Sequence, residues 1–114
     1  MNDKTHTDRE LLEMAAKAAG YDARWHPDDP FAIRSMHIGP SWGAWDPLTD
    51  DGDALRLAAK LMMSVEISEH EASTYAYAGP VDRKHAMELW RDDPYSATRR
   101  AIVRAAAEIG RAMP

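Results

Sequence analysis

The chain has no cysteine among its 114 residues, which excludes disulfides, thiolate zinc sites, iron–sulfur clusters and cysteine nucleophiles together. It also has no apolar run approaching the roughly eighteen residues of a membrane span, and its opening MNDKTHTDRE lacks the apolar stretch of a secretory signal. A cytoplasmic location with no membrane partner is the expectation. Nor is there an excess of positive charge: 14 Lys and Arg face 19 Asp and Glu, a net charge of −5 with neutral histidines. A nucleic-acid binder that works by neutralising many phosphates needs the opposite balance. None of the five histidines stands four residues from another, so the helical zinc signature is missing despite His70-Glu71. A site assembled from distant parts, such as His37 with His85, stays open. No cofactor is expected, and no repeat or low-complexity tract interrupts the chain.

What is present has the profile of a globular protein, with 45% hydrophobic and 29% charged residues in a length suited to one domain. Residues 1–7 are polar and aperiodic and read as a flexible N-terminus; 8–114 read as a single domain. The spacing of Leu11, Leu12, Ala15, Ala18 and Ala19 predicts a helix over 8–19, opened by the Thr7/Glu10 capping box and stopped by Gly20. Segments 21–25 and 31–38 alternate and read as short strands around the breaker HPDDP, and GPSWGAWDP reads as turn chemistry. A second helix is expected from about 50 to 63, with Ala54, Leu55, Ala58, Leu61 and Met62 as its buried stripe. Segments 65–68 and 72–78 read as a hairpin, and 79–93 give no clear element, only a short helix or an irregular anchor. Asp93-Pro94 opens a final helix with Ile102, Ala105, Ala106, Ile109 and Met113 inward and Arg104/Glu108 paired outside. The class is α+β: three helices on an antiparallel sheet of three to four short strands.

The stretch from 39 to 61 offers two sharp chemistries and fits neither. GPSWG matches the G-x-S-x-G of serine hydrolases, but Pro40 precedes Ser41 and AWDP follows where the helix should start. The acids Asp46, Asp50, Asp51 and Asp53 suggest a calcium loop, yet that register puts Leu48 at a ligand position, Asp51 at the glycine and Leu57 at the bidentate glutamate. Asp50 as helix cap, with Asp51 and Asp53 in the first turn, accounts for them. Trp42, between a serine and a glycine, is expected to be exposed and free to stack on a ligand or anchor an interface. Trp45, just before a helix entrance, is expected to close the core onto Leu55 and Met62, and it joins Trp42 in the candidate binding loop. Arg34 and His37 on the preceding strand, and Arg99 and Arg100 at the start of the last helix, complete the candidate binding set.

Trp45, Asp46, Pro47, Asp50 and the following helix, with Ala101, Ile102, Arg104, Ala105 and Ala106 late in the chain, resemble the phage alpha-beta-alpha sandwich domain family and the related NinX-like small phage proteins. The opening ELLEMAAKAAG is similar to that family's first helix. The resemblance implies a sheet covered by helices and a setting in a phage or prophage inside a bacterium. It implies no assigned activity and carries no catalytic residue. The functional expectation is a non-enzymatic accessory protein that acts by binding. Its target is either a nucleotide-like ligand, sequestered against host defences, or a host protein; it is open to homo-oligomerisation. The alternative from another class is a small hydrolase using Ser41 or a dispersed histidine and carboxylate set.

Overall fold

A computed structural model describes residues 7–26, 28–35, 43–79 and 85–114. Helix α1 (Asp8–Ala19) begins where the sequence says it should: Thr7 accepts from the Glu10 amide at 3.1 Å and its own amide donates to the Glu10 carboxylate at 2.8 Å. Two of the four orphan donors at the helix start are thereby satisfied. Gly20 closes the helix at φ 77°, a left-handed position that glycine occupies without strain.

Strands β1 (Ala23–His26), β2 (Asp29–Ser35) and β3 (Gly43–Trp45) form an antiparallel sheet in that order. Helix α2 (Asp51–Lys60) leads into a second antiparallel sheet of β4 (Met63–Ser68), β5 (Ser73–Ala78) and β6 (His85–Leu89). Helix α3 (Pro94–Ala112) completes the chain of elements; Asp93 caps it by accepting from the Tyr95 and Ser96 amides, and Pro94 sits at its start. The architecture is α+β, as the segregated helix and strand signals require, with the strands of the described residues divided between two sheets of three. The two strands that local pattern did not disclose are β3, within the turn-like GPSWGAWDP, and β6, within the segment 79–93.

Helix α3 is the hub. It packs along α1 on one side and against β5 and β6 on the other, and α2 lies beside it. Ala97, Ala101, Ile102, Val103, Ala105, Ala106, Ala107 and Gly110 are all buried, far more of its circumference than a single amphipathic stripe would give. Small residues allow this enclosure. A Cβ on Gly110 would stand 1.9 Å from the Met14 carbonyl oxygen, so glycine is what lets α1 approach. Ile109 is only partly covered, and Met113, one residue past the end of α3, is exposed, so the expected inward face is narrower at this end.

Each of the four carboxylates at the helix entrance, Asp46, Asp50, Asp51 and Asp53, is engaged within the fold. Asp50 caps α2 through the Asp53 amide at 2.8 Å, and Asp46 accepts from the Leu48 amide at 3.1 Å. Asp53 accepts from the Asp46 amide at 2.9 Å and from Arg56 at 2.8 Å, binding the loop to the helix. That hydrogen bond from Arg56 to Asp53 raises the guanidinium pKa above its ordinary value. Asp51 receives Arg99 of α3 at 2.6 Å. Among the described residues no group of three His, Asp or Glu is placed to hold a metal ion. Likewise no described helix is long and apolar enough to cross a membrane.

Candidate functional site

The phase of α2 decides where the exposed apolar surface lies. Its buried side chains are Ala54, Leu57 and Ala58, with Leu61 partly covered. This is an i, i+3, i+4, i+7 stripe, and Leu57 is fully buried within it. The expectation that Leu55 and Met62 belong to the stripe is corrected. Leu55 is turned about 100° from Ala54 and stands 69% exposed. Met62 lies beyond the helix end at φ 54° and is also exposed.

Leu55 has company. On β4, Val65 and Ile67 share the face of Ala76 and Thr74, their partners across the sheet. Thr74 meets Thr98 of α3, so this is the helix-facing side. Helix α3 covers β5 and β6 but leaves β4 overhanging, and Ile67 on the covered side of the sheet remains 60% exposed. Tyr95, in the first turn of α3, is 71% exposed. Together with Ala58 and Ile102 these residues line a groove of about 360 Å³ between α2, β4 and the start of α3, apolar except at its Asp51–Arg99 end.

A second concavity, of about 660 Å³, lies between β6 and the first half of α3 and includes Trp90, Arg100 and Arg104. Two of its three arginines, Arg100 and Arg104, are already engaged. Glu88 accepts from Arg104 at 2.5 Å and lies 3.8 Å from Arg100, which also reaches Asp8 at 2.9 Å. Arg104 further donates to the Met87 carbonyl at 3.0 Å, so the expected Arg104/Glu108 pair is replaced by contacts to β6. Glu108 pairs with Arg111 instead. The Trp90 indole is held by its Nε1–H on Thr74 at 3.0 Å. The rim carries Arg91, Arg100 and Arg104 against Glu88, Asp92 and Asp93, three charges of each sign.

Among the described candidate residues, Trp45, Arg99 and Arg100 are each engaged within the fold. Trp42, His37 and Ser41 lie outside the described residues. Arg34 sits in β2, opposite Arg24 and Ala44. Trp45 is 2% exposed and packs edge-on against Tyr21 with ring centroids 5.6 Å apart. Its core role therefore holds, although its neighbour is Tyr21, and a ring so enclosed offers no surface to a partner. Arg99 donates to the Leu48 carbonyl at 2.8 Å as well as to Asp51, pinning α3 to the entrance of α2. Arg100 joins α3 to α1 and β6. Both arginines are structural ties in this fold. The sequence reading places Leu55 in the core and does not single out Ile67 or Tyr95, yet all three are exposed; the signal for Leu55 is the competing stripe through Leu57. No protein-family model matches the chain, and searches of curated proteins and of solved structures find no match either.

Proposed function

We propose that the chain is a non-enzymatic binding protein whose target is another protein, received at the groove between α2, β4 and α3. The observation that carries this reading is the exposure of Leu55, Ile67 and Tyr95 around one apolar depression. Large apolar side chains gathered on a surface mark interaction sites more often than isolated ones do, and an aromatic beside aliphatic walls is the composition of an interface anchor. The setting that goes with it is the one the family resemblance implies, a phage or prophage accessory protein acting on a protein of the bacterial host. Trp45, Asp46, Pro47 and Asp50, which carry much of that resemblance, build the entrance of α2. They support kinship of architecture and leave recognition to residues outside the motif.

The cleft at Trp90 favours the nucleotide-like ligand as a second reading, because it combines an aromatic ring with three arginines in the larger concavity. It ranks behind the groove because Glu88 already pairs with Arg104 and lies 3.8 Å from Arg100, which also pairs with Asp8. An anionic ligand would have to displace the Glu88 carboxylate.

Native mass spectrometry of the protein isolated from a lysogenic or infected bacterium tests the two together. A retained protein that is lost from Leu55→Lys and Tyr95→Lys, while Arg104→Gln keeps it, is the expected result. A retained small molecule lost only from Arg104→Gln would replace the groove by the cleft.

A further inference from the structure

Strand β4 is an edge. Among the described residues it pairs with β5 alone, in unbroken register from Met63 opposite Ala78 to Ser68 opposite Ser73. Among the described residues, no backbone group of β4 bonds to another backbone group except across to β5. The opposite edge of the sheet is partly engaged, since Arg104 donates to the Met87 carbonyl of β6. Edge strands are usually guarded by proline, a bulge, a cover or several charges, because their unpaired amides and carbonyls template another strand. β4 is MSVEIS: it has no proline and no bulge, and its one charge is Glu66.

The two faces of this edge differ. On the helix-facing side Val65 and Ile67 open onto the groove with Leu55 and Tyr95. On the other side Glu66 stands opposite Tyr75 and accepts from the Tyr77 hydroxyl at 2.9 Å. Glu66 makes no ion pair among the described residues, nor do Glu69 and Glu71 in the turn that follows. An incoming strand alternates its side chains between the same two faces. Resting on the groove reading above, we infer that β4 receives an extended segment of another protein as an added strand, with apolar side chains toward Val65 and Ile67 and basic ones toward Glu66. This is recognition by strand addition, in which the backbone supplies affinity and alternate side chains supply specificity. A second copy of the chain fits less well: each copy carries a net charge of −5, and β4 paired with itself would bring the two Glu66 carboxylates close together with no cation between them.

The test uses the whole protein and three synthetic peptides: one alternating valine and lysine, one of the same composition with the valines grouped, and one alternating valine and glutamate. Binding by calorimetry is read beside amide hydrogen exchange over 63–68. The alternating valine–lysine peptide is expected to bind roughly tenfold or more tightly than either control, the scale of one lost anchor or charge contact, and to slow exchange within 63–68. Glu66→Lys should reverse the preference toward the glutamate peptide. Binding with no protection in 63–68 would overturn strand addition and leave the groove reading intact. Equal binding and protection in Leu55→Lys would overturn the groove reading and leave strand addition intact. No preference among the peptides, or protection of 63–68 that grows with protein concentration alone, would overturn the inference, the latter in favour of a second copy.

Discussion

The hydroxyl of Thr98 in α3 lies 2.8 Å from that of Thr74 in β5, and the same Thr74 oxygen accepts the indole N–H of Trp90 at 3.0 Å. Thr74 is fully buried, so one side-chain oxygen joins helix, sheet and the turn before α3 where water has no access. Thr74→Val conserves the shape and removes both bonds, leaving two polar groups unpaired. The expected loss is about 1–3 kcal/mol, read by chemical denaturation. Thr98→Val leaves the Trp90 bond in place and should cost less.

Leu55 and Leu57 are two residues apart and should behave as opposites. Leu57→Ala empties a fully buried site and is expected to cost about 2–5 kcal/mol. Leu55→Lys changes a solvated position and should stay within about 0.5 kcal/mol. Urea unfolding of the pair fixes the phase of α2, and equal losses would move Leu55 out of the groove and into the core.

Gly110→Ala runs against intrinsic preference, since alanine in place of glycine favours a helix by about 1 kcal/mol. Here the added methyl meets the Met14 carbonyl at 1.9 Å, and α1 must move away. A net destabilisation of about 1–3 kcal/mol is expected, as for other overpacked contacts, with a lower melting temperature as the readout.

Asp53 should matter more than the other acids near it. Its carboxylate holds the Asp46 amide and Arg56 together, whereas Asp50 accepts from the Asp53 amide and stands 3.9 Å from Arg56. Asp50→Ala is expected to cost about 0.5–2 kcal/mol by cap loss, and Asp53→Ala more than Asp50→Ala in the same measurement. Millimolar calcium should leave the melting temperature unchanged; a rise of several degrees would show the carboxylates free to coordinate.

Trp45→Ala removes a ring that is 2% exposed and should cost about 3–5 kcal/mol. Differential acrylamide quenching of single-tryptophan variants should find Trp45 the more shielded of it and Trp25, whose indole is held at the surface by Glu13 and lies under Arg9.

The elements legible in the sequence are those whose signals are local. The Thr7/Glu10 box, Gly20, the Asp50 cap and Asp93-Pro94 each fix a boundary through atoms a few residues apart, and α1, α2, α3, β4 and β5 follow. β6 was hidden because HAMEL has the composition of a helix and becomes a strand only by pairing with β5. Leu55 was misplaced because Ala54, Leu55, Ala58 and Ala54, Leu57, Ala58 are both acceptable helical stripes; contact with α3 selects the second. Arg99 and Arg100 looked available because their acidic partners, Asp51 and Asp8, lie 48 and 92 residues away. The groove was beyond local reading altogether, since it exists only because α3 stops short of β4.

The central position of α3 also sets an order of events. Every element it organises is made before it: α1, α2 and the strands β5 and β6 emerge from the ribosome with the faces meant for α3 still uncovered. Pairs such as Arg100 with Asp8 and Lys17 with the Met113 carbonyl span 92 and 96 residues. They close large loops late, and contacts of such separation slow folding. A nascent chain arrested before 94 should accordingly be cut by protease throughout, and resistance should appear together across sheet and helices once 94–112 are free.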